Sequence, residues 1–220
     1  MLIVILFFFQ SLVGCLTQQA SVVAGEMAVV PLARWTWEED SVHKVFMEEY
    51  KYHYKYPHPS VTTDCVIFGY DGKGLNVLLI ERGFEPYKGC WAFPGGFLEM
   101  DESADEGAKR ELMEETGLDT AYVKQFQTFS APDRDPRERV ITIAYYAIVR
   151  MSEVKGMDDA AQAKWFPLDA VPQLAFDHEE MLRVAKETLR RDFLCGGKDW
   201  EAMTVGFTDE ELQKIKAAIQ

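Results

Sequence analysis

Along the chain, β-branched and aromatic runs bounded by turn residues give way to a helical period and then return. From residue 61, VTTDCVIFGY is β-branched and aromatic, the signature of a strand. Asp71-Gly72-Lys73-Gly74 marks a turn, and LNVLLIERG reads as a second strand. WAFPGGF follows as a strand ending in Pro94-Gly95-Gly96. Between residues 103 and 116 the period becomes helical, and YVKQFQTFS and RVITIAYYAIVR return to strand. KWFPLDAVP is a short strand and turn, and HEEMLRVAKETLRRDF is an amphipathic helix from about 178 to 193. Strands and helices mixed in this way predict an α/β fold with helices flanking a mixed sheet.

The pattern also divides the chain of 220 residues. Residues 1–26 open with an uncharged apolar run, LIVILFFFQSLVGCL, shorter than the ~20 residues that span a bilayer. The run ends in Leu12-Val13-Gly14-Cys15, similar to a lipoprotein cleavage site, but no Lys or Arg precedes it. Two readings follow. Either this is upstream sequence, with Met27 or Met47 the true start and a cytoplasmic protein, or it is a signal that attaches an envelope lipoprotein to the membrane through Cys15. The first is favoured here. Residues 27–59 form a polar and aromatic connector, 60–193 the catalytic domain and 194–220 a helical tail. Every element of the site argued below lies after residue 60, so the domain is expected to fold and work without residues 1 to 46.

Charge and cysteine narrow the chemistry. With 36 acidic and 23 basic residues the net charge is −13, which disfavours binding to a phosphate backbone. A small phosphorylated substrate is not excluded, because a divalent cation screens the two negative partners. Cys15, Cys65, Cys90 and Cys195 form no C-x-x-C pair, so a zinc site and a disulfide framework are both disfavoured.

The informative stretch is GFLEMDESADEGAKRELMEETGL, from Gly96 to Leu118. Ser103 and Glu106 form a capping box that starts a helix, and Gly117 sits where a C-cap glycine belongs. At 100° per residue, Glu111, Glu114 and Glu115 share one face. Arg110 pairs with Glu114 at i, i+4, but one arginine does not balance three carboxylates, whereas a hard divalent ion does. Gly107 and Ala104 continue the same face, and a bare surface there leaves room for metal and phosphate. Ala108 and Leu112 lie beside it and anchor the helix to the sheet. An E-x-x-E-E pattern alone is common, and a solvated acidic face is its plain alternative.

Nine spaced positions argue against that alternative. Gly96, Glu102, Arg110, Glu111, Leu112, Glu114, Glu115, Gly117 and Leu118 resemble the Nudix box at every fixed position. The resemblance implies an α/β/α sandwich with a mixed β-sheet and a loop-helix-loop catalytic motif. It implies that Glu111 and Glu115 ligate Mg2+ or Mn2+ with a main-chain carbonyl near Gly95 or Gly96. It gives Glu114 a further metal or the activation of water, Arg110 the orientation of the carboxylates, and Glu102 hydrogen bonds with a weaker electrostatic part. The box leaves the general base open.

Residues 56 to 190 are further similar to the ADP-ribose pyrophosphatase branch, through TTDCVIFGY, VLLIERG, KGCWAFPGGF, APDRDPRERVITIAYYA, KWFPLDAVP and LAFDHEE. That implies hydrolysis of ADP-ribose to AMP and ribose 5-phosphate. Arg134 and Arg137, in the loop APDRDPRER, are candidates to contact the terminal ribose or the diphosphate, an ordinary charged hairpin loop being the alternative. Arg82 is a candidate for the phosphates, with a surface salt bridge as its alternative. A rival reading is an ADP-ribose-sensing transcriptional regulator, since GFTDEELQKIKAAIQ resembles the first helix of a winged-helix module. The sequence stops at Gln220 without a recognition helix, and the complete box favours an enzyme. A third reading is a related enzyme for an oxidised nucleoside triphosphate or another sugar nucleotide. A homodimer is compatible with the sequence, and no nucleic-acid partner is expected.

Overall fold

The computed structural model describes residues 54–120, 122–157 and 160–219. The apolar N-terminal run, Cys15 and most of the connector therefore lie outside the described residues. Among the described residues, no helix is long and apolar enough to cross a membrane.

The strands are β1 (Ser60–Tyr70), β2 (Leu75–Arg82), β3 (Trp91–Ala92), β4 (Gly95–Phe97), β5 (Lys124–Phe129), β6 (Val140–Arg150) and β7 (Ala160–Pro167). The helices are α1 (Ala104–Thr116), α2 (His178–Cys195), α3 (Lys198–Met203) and α4 (Asp209–Ala218). The sheet runs β3-β2-β1-β6-β5, with β4 on β1 and β7 on β2. β1 and β6 are parallel along their whole length, and the other pairings are antiparallel. The fold is thus the mixed α/β sandwich that the pattern implied.

Strand alternation sorts the core into two layers. Val66, Phe68, Val77, Leu79, Tyr146 and Ile148 face Met181, Ala185 and Leu189 of α2. Cys65, Ile67, Leu78, Tyr145 and Ala147 face Ala108 and Leu112 of α1. Trp200, Met203, Ile215 and Ile219, from α3, α4 and the chain's end, are buried in the α2 layer. A second tie on that side is polar: the Tyr146 hydroxyl and Lys124 ammonium both donate to Asp192 Oδ2, at 2.5 and 2.6 Å.

WAFPGGF is not one strand. Pro94 has no N–H to give a ladder, and the segment breaks there: β3 pairs with β2 while β4 pairs with β1. The Pro94 carbonyl accepts the Cys65 N–H at 2.8 Å, which ties the break to β1.

Helix α1 begins and ends as its sequence dictates. Ser103 and Glu106 cap each other reciprocally, and Gly117 takes a left-handed conformation at φ 70°. Leu112 is its largest fully buried side chain. Leu112→Ala is expected to cost about 2–5 kcal/mol of stability, whereas Met113→Ala, on the exposed side of the same turn, should stay within about 0.5 kcal/mol. Urea unfolding of the two variants checks this.

Candidate active site

The site forms where β4 crosses beneath α1. Gly95 and Gly96 pair with Asp64 and Thr63 of β1. A Cβ at Gly95 would lie 2.0 Å from the Thr63 carbonyl oxygen, and one at Gly96 would lie 2.4 Å from Glu111 Oε1. Backbone without side chains is therefore what lets strand and helix approach. The Gly95 N–H donates to Glu115 Oε2 at 2.8 Å, giving that buried carboxylate a partner.

The other carboxylates gather on Arg110. Its guanidinium donates to Glu102 through Nε and Nη2 at 2.9 and 2.7 Å, and through Nη1 to Glu111 and Glu114, each at 2.9 Å. Nη2 also reaches the Phe97 carbonyl at 3.2 Å. Hydrogen bonds from Arg110 hold the Glu102 carboxyl down at about 2. Glu111 is pushed the other way: burial raises its pKa, Arg110 opposes, and the neighbouring Glu114 and Glu102 add to the rise. Glu114 is the most exposed of these.

Gly107 does not serve as the sequence suggested. It is buried, and a Cβ there would meet Leu98 Cδ2 at 2.4 Å and Glu102 Oε1 at 2.8 Å. The bare position admits the loop before the helix, and with it Glu102, rather than metal or phosphate.

Among the described residues, no three His, Cys, Asp or Glu side chains stand together ready for a metal ion, because Arg110 holds Glu111 and Glu114. The donor set nonetheless fits a hard cation. Glu111 and Glu115 present carboxylate oxygens against the Gly95-Gly96 backbone, whose carbonyls are oxygens of the same kind, and one guanidinium leaves these carboxylates in excess.

An open cleft is lined by Glu115, Gly95 and Gly96 together with Arg82, Arg134 and Arg137. Glu102, Arg110, Glu111 and Glu114 are not among its lining residues. The three arginines differ in their commitments. Arg134 is almost fully buried and spends Nε and Nη2 on Asp177, at 2.9 and 2.7 Å. Arg137 forks onto Asp135 and lies over the Phe97 and Phe176 rings. Arg82 donates Nε to the Pro86 carbonyl at 2.8 Å, stacks 4.8 Å from the Phe176 centroid and makes no ion pair among the described residues. Burial and the nearby Arg137 charge lower its pKa. Two cations close together in a recess favour an anion between them.

Three cleft residues escaped the sequence reading. Asp64 is a lone carboxylate inside a buried strand, and that much was visible. Phe176 adopts a positive φ of 53°, with no local signal for it. His178 opens α2, is buried against Phe93, and is held neutral by that burial.

Comparison with known proteins agrees with this geometry. A family model described as NUDIX domain matches residues 58–185. A Methanocaldococcus jannaschii protein named ADP-ribose pyrophosphatase is 37% identical over 161 residues, 73% of this chain and 91% of the relative. An ADPR responsive transcriptional repressor of Acinetobacter baylyi is 33% identical over 180 residues, 80% of this chain and 72% of the relative. Among solved structures, a MutT/nudix family protein from Enterococcus faecalis superimposes with a TM-score of 0.67 at 28% identity, covering 81% of this chain and 80% of that one. The NUDIX domain of Shewanella oneidensis NrtR, complexed with ADP ribose, gives 0.58 at 30% identity, covering 66% and 97%.

Replacing Arg110 by Gln frees the carboxylates to repel each other. Glu102 has a folded pKa of about 2 against an ordinary 4.5. A depressed carboxylate stabilises the fold above its unfolded pKa, and that contribution fades as pH falls toward the folded value. The stability gap between wild type and Arg110→Gln is therefore expected to be full near pH 6 and to close between about pH 4.5 and 2. Urea midpoints across that range measure it.

Proposed function

This chain belongs to the Nudix family of hydrolases, and from that membership we propose that it cleaves ADP-ribose, with Mg2+ or Mn2+, into AMP and ribose 5-phosphate. The observation that carries the reading is the cleft itself, whose lining brings oxygen donors for a cation together with arginines for a diphosphate. The relative named ADP-ribose pyrophosphatase supports the choice of substrate.

The chain's own residues have separable tasks. Arg82, whose terminal nitrogens make no hydrogen bond among the described residues, binds the diphosphate, and Arg137 beside it adds charge. Glu111, Glu115 and a carbonyl of Gly95 or Gly96 hold the divalent ion, which when bound polarises the phosphates and lowers the pKa of a bound water. Glu114, the most exposed of the box carboxylates, is assigned a second ion or the proton of the attacking water. That water forms a new P–O bond as the bridging P–O bond breaks, leaving one phosphate on each product. Arg110 and Glu102 fix the carboxylates in position.

The regulator reading is the alternative that a specific relative favours, since the Acinetobacter baylyi protein is named a repressor. The complete set of box carboxylates argues for hydrolysis here. The net charge of −13 argues against duplex DNA. In a gel-shift experiment no specific complex should survive about 0.2 M salt, and one that does would restore the regulator.

With ADP-ribose, AMP should form only in the presence of divalent metal and stop on addition of a chelator. Glu115→Gln is expected to lose on the order of 100-fold in rate. Glu106→Gln, which keeps a capping box, should stay close to wild type. Chromatography of the nucleotide products decides the matter: wild-type protein that turns over no nucleotide derivative with either metal rules out the enzyme.

A further inference from the structure

The floor of the cleft holds two buried polar side chains that the hydrolysis above does not use. They are Asp64 of β1 and His178 at the start of α2. Asp64 Oδ2 accepts a short hydrogen bond from the Thr142 hydroxyl, at 2.5 Å. Its other oxygen, Oδ1, stands 3.7 Å from His178 Nε2, outside hydrogen-bonding reach. His178 Nδ1 accepts the Phe93 N–H at 3.0 Å, so the proton of the neutral ring is on Nε2. The ring stacks on Phe93 at 15° with centroids 5.2 Å apart, which fixes where Nε2 points.

An acceptor and a donor therefore stand side by side in the cleft, and neither is completed by the protein. One oxygen seated about 2.8 Å from each would bridge them. That oxygen must give a proton to Oδ1 and take one from Nε2–H. A hydroxyl does both, as does a water, and only a substrate hydroxyl makes turnover depend on which hydroxyl is present. A phosphate oxygen has no proton to give and is repelled by the carboxylate. The exocyclic amine of a base donates but does not accept.

Position says which hydroxyl class is meant. Asp64 is the register partner of Gly95, and the Gly95 N–H is already on Glu115. The pair thus adjoins the place where the diphosphate is cleaved. In ADP-ribose the hydroxyls nearest the diphosphate are those of its two riboses, and the base lies one sugar further away.

We propose that Asp64 and His178 form a hydroxyl-reading subsite that seats a ribose hydroxyl of the substrate beside the scissile diphosphate. The proposal rests on the substrate class argued above. Arg134 acts as a positioning residue, since its fork onto Asp177 fixes the residue just before His178.

The test compares ADP-ribose with analogues that each lack one 2- or 3-hydroxyl, on the adenosine ribose or on the terminal ribose. Wild-type kcat/KM should fall on the order of 10- to 100-fold for one of them, because a buried polar pair is left without its ligand. The analogue affected identifies which ribose is read. In Asp64→Asn, the Thr142 hydroxyl claims the amide oxygen and turns the NH2 toward the cleft, so two donors face the hydroxyl and nothing accepts its proton. His178→Phe keeps the stack on Phe93 and removes the donor. In both variants the affected analogue and ADP-ribose should come within about threefold of each other, whatever activity both lose. This ratio is insensitive to a partly unfolded sample, and His178→Phe decides alone if Asp64→Asn does not fold. Wild-type protein that hydrolyses ADP-ribose and every analogue equally well overturns the subsite and leaves the proposed function standing. Discrimination that persists in the variants also overturns it. If ADP-ribose itself is not turned over, the substrate reading falls, and the same ratio is read on the sugar nucleotide that is hydrolysed. Turnover of none removes both.

Discussion

The site depends on one close approach, that of the Gly95-Gly96 backbone to β1 on one side and to α1 on the other. Any side chain at Gly95 would collide with the Thr63 carbonyl, and any at Gly96 with the Glu111 carboxylate. The clash at Gly95 is with backbone, which has no flexible end that can move aside, whereas a side chain at Gly96 would displace the Glu111 carboxylate. Because both positions are bare, β4 pairs with β1, the Gly95 N–H meets Glu115, and that one carboxylate of the acidic helix face reaches the cleft. With α1 held further out, the same carboxylates would form a solvated surface with no chemistry.

Bringing like charges together has a cost, and the chain answers it in two ways. From α1, Arg110 engages Glu102, Glu111 and Glu114 at once. In the cleft, Asp177 and Asp135 tether Arg134 and Arg137, while Arg82 makes no ion pair among the described residues. The lining carries Arg82, Arg134 and Arg137 alongside Asp64, Glu85, Glu115 and Asp135, so it is not basic as a whole. What distinguishes Arg82 is that no carboxylate engages it, which leaves its charge available to an anion.

Helix α1 was legible in the sequence because its signals are local: a capping box, a C-cap glycine and an apolar stripe all lie within one short window. The long strands were legible by their β-branched and aromatic composition for the same reason. The split at Pro94 was not, since what separates β3 from β4 is the choice of partner strand, which is tertiary. Gly107 shows the same limit from the other side. Its bareness was visible, but the occupant of the space, Leu98 with Glu102, was not. Arg134 stood out in the sequence as a candidate contact, while its attachment to Asp177 spans 43 positions. Asp64 and His178 meet only because β1 and α2 border one cleft. The positive φ of Phe176, which sets its ring under Arg82, has no counterpart in the local sequence.

On the proposed roles, recognition and cleavage fall to different elements of this architecture. Arg82, Asp64 and His178 lie on β2, β1 and α2 and line the cleft, whereas Glu111 and Glu114 lie on α1 outside it. Glu115 alone belongs to both groups, since it lines the cleft and anchors the Gly95 N–H. On the proposed roles, a change at Glu111 or Glu114 removes catalysis while leaving the residues that line the cleft in place. Hydrolysis and ligand binding are then separable within one fold, the first resting on the carboxylates of α1 and the second on the residues that line the cleft.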